Sequence, residues 1–392
     1  MRDQYNSRYN SLLRSYCQYD SLLRLTELTK NDHHIHKILY HKRELSLENR
    51  EYICDIEKFD KELSIKAIRN AINRRGLNAE LFEGLTKNSF RISYKFNPNI
   101  LVSIIIPFKD NHDVLHTCIQ SILKKTKYKN YEIICVNNQS KEREKFLEID
   151  ICGYGSLKSF YDKQLCNQDA TIFYQEGTVA LPSLTILDYD KPFNYSAINN
   201  FAAKHAKGDV LLFLNSDTEV ISEEWLEAML EHACRDNVGA IGAKLYYVND
   251  TIQHAGVIVG IAGVAGHAFK HIKRDEKDFY HGFPCMVRNV SAVTGACMMT
   301  RRSVFEEVGG FDEEYFKVSY NDLDLCLKMR EKGYQIIYTP FAELYHYESY
   351  SRGYSFDPAA TENIKAKWGK TLELDPFYNP NLTIYKEDWS FE

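Results

Sequence analysis

Leu101-Val102-Ser103-Ile104-Ile105-Ile106-Pro107 is the stretch that decides the fold. It is short, apolar and dominated by β-branched side chains, the pattern of a strand buried on both faces. Asn97-Pro98-Asn99 breaks the chain just before it. A helix-like segment follows from about Val114 to Lys125, and then a second apolar strand from Tyr131 to Val136. Strand, helix, strand in that order makes a βαβ unit and points to an α/β fold with a parallel sheet. Further along, a helix near Ser196–Ala206 precedes the strand Val210-Leu211-Leu212-Phe213-Leu214. The next helix is expected to open with Ser222 as its N-cap, Glu223 and Glu224 complementing the dipole of its first turn.

On either side the pattern changes. Residues 1–98 read as a polar, mostly helical extension: Leu63, Ala67, Ile68, Ala71 and Ile72 recur at helical spacing and Gly76 suits a C-cap. Between 141 and 190 the alternation blurs, around Cys152-Gly153-Tyr154-Gly155 and a strand-like Thr171–Tyr174, and the stretch reads as an insertion. Residues 351–392 form a tail. There is also an internal echo. Tyr19-Asp20-Ser21-Leu22-Leu23 leading to Leu39-Tyr40-His41 parallels Asn321-Asp322-Leu323-Asp324-Leu325 leading to Leu344-Tyr345-His346, as if residues 1–45 copied the end of a second such domain.

Composition bounds the function. The 392 residues are 44% hydrophobic and 26% charged, an ordinary globular balance that excludes a collagenous or wholly disordered chain. The net charge of −5 supplies no global basic field, so no nucleic acid partner is expected. That charge is unevenly spread. Residues 1–99 carry 18 Lys/Arg against 13 Asp/Glu, which suits contact with an anionic membrane face or a lipid-linked acceptor, and the remainder is strongly acidic. The ten cysteines include no C-x-x-C pair, which favours a reducing, cytoplasmic setting. The start Met1-Arg2-Asp3-Gln4-Tyr5 has no apolar h-region, and Ala255–Gly266 is far shorter than the ~20 residues of a membrane helix. Peripheral contact with the inner face of the membrane stays open.

Several residues can carry chemistry. In Leu214-Asn215-Ser216-Asp217-Thr218 a strand ends in a polar cluster, and the carboxyl ends of strands are where open α/β sheets bind ligands. Asp217 there either joins an oxygen-ligand site for Mg²⁺ or Mn²⁺ or simply makes a turn. Asp322 and Asp324 open an amphipathic helix that Gly333 ends. They either complement its dipole, or one of them faces a cleft as general base. His346 is a ligand or an ordinary buried histidine. Gly295 allows close approach of the backbone to a ligand or merely bends a strand, and Arg352 grips a diphosphate or is surface. No P-loop, dinucleotide fingerprint, H-E-x-x-H or G-x-S-x-G is present.

Taken in order, the segments resemble the family-2 glycosyltransferases of GT-A fold, above all the bacterial O-antigen and capsule enzymes of rhamnosyltransferase type. The matching pieces are Val102–Pro107, Glu132-Ile133-Ile134-Cys135-Val136-Asn137-Asn138-Gln139-Ser140 and Pro192-Phe193-Asn194-Tyr195-Ser196-Ala197-Ile198-Asn199-Asn200. Phe213–Val220, Ile252-Gln253-His254-Ala255-Gly256, Gly309-Gly310-Phe311-Asp312-Glu313, Asn321–Asp324 and Glu343-Leu344-Tyr345-His346 complete the set. The resemblance covers about residues 100–353 and places the catalytic domain at 99–350.

It implies transfer of a sugar from a UDP- or dTDP-linked donor to a glycan or lipid-linked oligosaccharide acceptor, with inversion, in surface polysaccharide synthesis. By resemblance Asp217 and His346 would hold Mn²⁺ or Mg²⁺, and Asp322 would be the base that deprotonates the acceptor hydroxyl. The donor-binding positions it implies are Pro107, Asn137, Asn138, Asn194, Asn199, Asn215, Ser216, Gly295, Ala296 and Arg352. Asn137 stands where relatives carry a base-reading Asp. Its amide oxygen can accept from a pyrimidine N3–H without the help of a charge. Asn215 replaces the first Asp of the metal motif, and Asn321 a frequent Glu. The competing reading is a non-catalytic GT-A module that binds glycan or nucleotide and scaffolds a partner enzyme.

Overall fold

The computed structural model describes residues 19–28, 50–141, 182–348 and 357–390. The strand-like 171–174, the Cys152–Gly155 segment, His41 of the internal echo and Arg352 lie outside them. The chain divides into two units, Met1–Lys95 and Phe96–Glu392.

In the first unit, helix α1 spans 19–28 and α2 spans Arg50–Arg74. Helix α2 ends as its sequence suggests. Gly76 adopts a left-handed φ of 59°, and the Leu77 N–H donates back to the Ile72 carbonyl, a Schellman closure. Beyond it the mostly helical extension ends in a short stretch of sheet. Strands β1 (Ala79–Glu83) and β2 (Phe90–Tyr94) pair antiparallel as a hairpin. Phe90, Ile92 and Tyr94 alternate with period two, and the intervening turn is pinned by the Ser89 hydroxyl, which accepts the Thr86 N–H and donates to the Thr86 carbonyl.

The second unit is an α/β domain around a mixed sheet with ten strands among the described residues. Strand β3 (Val102–Phe108) is buried along its whole length, as its composition requires. Ile104 and Ile106 face one apolar cluster with helix α3 (His112–Lys125), while Ile105 faces a second on the opposite side. β3 pairs in parallel with β4 (Tyr131–Asn137), and β4 in turn with β5 (Ser183–Asp188). The end of the supposed insertion is therefore an edge strand of the main sheet.

On its other side β3 pairs in parallel with β6 (Val210–Leu214), reached through helix α4 (Tyr195–His205). After β6 come the short strand β7 (Thr218–Val220), helix α5 (Trp225–Ala233), and strands β8 (Val238–Tyr246) and β9 (Ile252–His254). Strands β10 (Val257–Val259), β11 (Ala265–His267), β12 (Arg288–Val290) and β13 (Cys297–Arg301) follow, then helices α6 (Arg302–Glu307) and α7 (Asn321–Glu331). The long strand β14 (Gln335–His346) and helix α8 (Pro358–Trp368) complete the order. β13 runs antiparallel between β6 and β8, and β14 runs parallel to β8, so the ends of β3, β4, β6 and β14 emerge at one edge.

Cys135 and Cys326 are buried free thiols, filling space as small hydrophobes. Among the described residues no helix is long and apolar enough to cross a membrane. Ser222 is not an N-cap, which corrects the sequence reading. Helix α5 starts at Trp225, and the Ser222 hydroxyl instead donates to the Phe341 carbonyl and accepts the Glu343 N–H, clamping the start of α5 to β14. Ser222→Ala should therefore cost roughly 1 kcal/mol of stability in denaturant titration, with helix content by circular dichroism unchanged.

Candidate active site

A cleft of about 590 Å³ opens at the carboxyl edge of the sheet, within the range of small-molecule sites. Pro107 at the end of β3, Asn138 after β4, and Asn215, Ser216 and Asp217 after β6 line it, with Phe193, Tyr195 and Ile198 from the α4 region. The loop Lys109-Asp110-Asn111 closes one side, with Asp110 and Asn111 both at a left-handed φ of 51°.

The cation candidates meet because β7 pairs with the end of β14, setting Thr218 opposite His346. Tyr347 N–H donates to the Asp217 carbonyl and extends the pairing by one residue. Asp217 Oδ1 then lies 3.2 Å from His346 Nε2, and Asn215 Nδ2 donates to the same nitrogen at 3.2 Å. Ligands about 2.1 Å from an octahedral ion sit about 3 Å apart in neighbouring positions, so this carboxylate and imidazole fit two sites of a Mg²⁺- or Mn²⁺-type ion. Among the described residues no group of three or more acidic, His or Cys side chains could hold a metal.

The base candidate is held differently. Asp322 sits in the first turn of α7, where its Oδ2 accepts the Gly295 N–H at 2.9 Å. The Gly295 carbonyl in turn accepts the Tyr195 hydroxyl at 2.9 Å. Gly295 thus links Asp322 to a tyrosine of the cleft wall. A Cβ at Gly295 would lie 3.3 Å from that hydroxyl and 3.6 Å from the Asp322 Cβ, so a side chain there would press on the Tyr195 hydroxyl. Nothing in the sequence singled out Tyr195 beyond its place in a matching segment. Asp324, two residues on, is fully buried and serves the fold: it accepts the Trp368 indole N–H at 2.8 Å and pairs with Lys367 at 2.7 Å.

The other residues named from the sequence separate into two groups. Asn138 has its amide orientation fixed by donation to the Tyr189 and Lys191 carbonyls, and its buried Oδ1 has no hydrogen-bond partner among the described residues. Asn137 is held at both ends of its amide. Its oxygen accepts the Ser140 N–H, which leaves one lone pair, and its nitrogen donates to Asp188 Oδ1. Asn194 caps α4 by accepting the Ala197 N–H and donates to the Glu313 carbonyl. Asn199 is buried, donating to the Tyr195 carbonyl. Ala296 contributes backbone only, its carbonyl accepting the Asn215 N–H.

Two histidines lie beneath the Gly295 loop. His254 Nε2 accepts the Gly256 and Thr294 N–H groups, so the ring proton sits on Nδ1 and is donated to His267 Nδ1 at 2.9 Å. Burial pushes His254 well below the ordinary imidazole range, His267 adding to the effect, and burial likewise lowers His267.

A family model described as glycosyltransferase like family 2 matches residues 98–371, well over half of the chain. The chain belongs to glycosyltransferase family 2. The O-antigen biosynthesis protein RfbC of Myxococcus xanthus is 36% identical over 94% of this chain and 27% of its own length. The uncharacterized protein y4gI of Sinorhizobium fredii is 36% identical over 95% of this chain and 39% of its own. This family-2 chain thus spans well under half the length of those relatives. A crystal structure of GalNAc-T7 with UDP, GalNAc and Mn²⁺ aligns with a TM-score of 0.51 at 14% identity, covering 72% of this chain and 50% of that one, and shows the GT-A fold.

Two outcomes follow from the geometry of this glycosyltransferase domain. Asp324→Ala leaves the buried Trp368 N–H without its acceptor, while the half-exposed Lys367 can turn to water, and should cost about 1–3 kcal/mol in denaturant titration. For the histidine pair, the unfolded rings take up protons as pH falls through about 6.5 while the folded rings resist. The unfolded state then binds more protons, so stability falls below that pH by up to about 1.4 kcal/mol per pH unit per ring. His267→Asn, which keeps an acceptor for His254, should flatten the dependence of Tm on pH between 7 and 5.

Proposed function

We propose that this domain catalyses inverting transfer of a sugar from a UDP- or dTDP-linked donor to a hydroxyl of a glycan or lipid-linked acceptor, in assembly of a bacterial surface polysaccharide. The observation that carries the proposal is the joining of two arrangements at one cleft. Asp217 lies against His346, and Asp322 is tethered through Gly295 to Tyr195 of the same cleft wall. The naming of RfbC as an O-antigen biosynthesis protein supports the acceptor class. The UDP and Mn²⁺ bound by GalNAc-T7 are in keeping with a nucleotide-linked donor and a divalent ion.

Asp217 and His346 would hold the ion, whose chemistry when bound is to offset the charge that develops on the departing diphosphate. Asp322 takes the proton from the attacking hydroxyl, and the Gly295 N–H keeps its carboxylate aimed as that proton moves. Direct attack by the hydroxyl on the anomeric carbon inverts the configuration, so a single base suffices. Asn138 lines the cleft beside Asn137, its amide held in place by the Tyr189 and Lys191 carbonyls. Pro107, Ser216 and Asn215 shape the same wall.

The test is a panel of nucleotide sugars with Mn²⁺, scored for turnover and for protection against thermal unfolding. Asp322→Asn should lower turnover at least 10²-fold with nucleotide protection retained. Asp217→Ala should remove the part of that protection that depends on Mn²⁺. Turnover that survives Asp322→Asn would defeat the assignment of the base, and protection without turnover by the unaltered chain would favour a non-catalytic binding module.

A further inference from the structure

Gln253 belongs to a segment that matched the family, yet nothing so far gives its side chain a task. It lies in β9, which pairs antiparallel with β8, and is buried at 4% exposure. Its Nε2 donates to two acceptors, the His346 carbonyl and Glu348 Oε2, each at 3.2 Å. Turning the amide over would set its oxygen against a carbonyl and a carboxylate, so the orientation is fixed. Oε1 must therefore face His346 Nδ1, at 2.6 Å. An acceptor at that place requires the ring proton on Nδ1.

We propose that Gln253 is a positioning residue that holds His346 as the Nδ1–H tautomer, leaving the Nε2 lone pair directed at the cation site beside Asp217. The contacts around Nε2 agree. Asn215 Nδ2 donates to it, which needs a lone pair there, and Asp217 Oδ1 faces it at 3.2 Å. With the ring neutral, a cation between these two atoms would relieve the repulsion of carboxylate and lone pair. A hydrogen-bond acceptor on the far nitrogen of a ligating histidine fixes ring orientation and raises its donor strength. Glu348 acts one step further out, since it fixes the amide that fixes the ring. The chain of contacts joins β9, β14 and the residues after β14, none of which adjoins another in sequence except the last two.

This inference rests on Asp217 and His346 being the cation ligands, and the experiment separates the two claims. The full chain is titrated with Mn²⁺ in the presence of UDP, with free Mn²⁺ followed by electron paramagnetic resonance. Asp217→Ala and His346→Ala should each abolish tight uptake; if neither does, the cation site itself is wrong. Gln253→Met, which keeps volume and removes the acceptor, should weaken Mn²⁺ about 10- to 100-fold. The double exchange Gln253→Glu with Glu348→Gln restores the acceptor for Nδ1, though not the donor to the His346 carbonyl, and should recover part of the affinity lost in Gln253→Met. In metal-free protein labelled with ¹⁵N-histidine, His346 should show the Nδ1–H pattern and lose it in Gln253→Met. Normal Mn²⁺ uptake and an unchanged tautomer in Gln253→Met, with both alanine variants impaired, would overturn the role of Gln253. Should Gln253→Met fail to fold, the single exchange Gln253→Glu against the double one decides, because a structural role predicts no rescue of Mn²⁺ uptake.

Discussion

The antiparallel pairing of β7 with the last residues of β14 is the contact on which the site depends. Only three residue pairs make it, Leu344 with Val220, Tyr345 with Glu219 and His346 with Thr218. It closes a loop of more than a hundred residues, and the entropy of that closure is met by the long parallel pairing of β14 with β8 rather than by the site. Once β14 is laid along β8, its end must emerge beside the turn that follows β6. Ser222 and Ile221 then bind to Glu343 and keep the short strand in register. Asp217 and His346 meet because the sheet edge leaves them no other place.

The second half of the site depends on a segment with no regular structure. Residues 294–296 lie between β12 and β13, and nearly every backbone group there is engaged. Thr294 N–H is turned towards His254, Gly295 is held by Asp322 and Tyr195, and the Ala296 carbonyl by Asn215. The last of these bonds ties the segment directly to the cation-side turn. Movement of either half would therefore strain the other, which suits a reaction in which base and departing diphosphate must be aligned together.

Much of this was legible in the sequence. The apolar, β-branched run at 102–106 could form little but a doubly buried strand, and the polar cluster at 215–218 marked the edge where ligands bind. Asp322 and Asp324 were not separable in that way. Residues two apart on a helix point about 200° apart, so one of the pair must face inward, but which one depends on the neighbours. Trp368 and Lys367 claim Asp324, and Gly295 claims Asp322. Asn137 is similar: its position in the strand was legible, but not that Ser140 and Asp188 hold its amide. The hairpin after α2 was hidden by the helical periodicity that precedes it.

What the sequence determined by itself was the class of fold, the family, and the residue types at the carboxyl edge of the sheet. These follow from local pattern, since burial on two faces and polar strand ends are written in consecutive residues. Only the tertiary structure decided how Asp217 comes to lie against His346, what Tyr195 bonds to, and which side of Gln253 faces the imidazole. Those are set by hydrogen bonds between segments far apart in the chain. The direction of a side-chain amide, like the proton on a histidine ring, is fixed by what surrounds it and leaves no mark on the order of the residues.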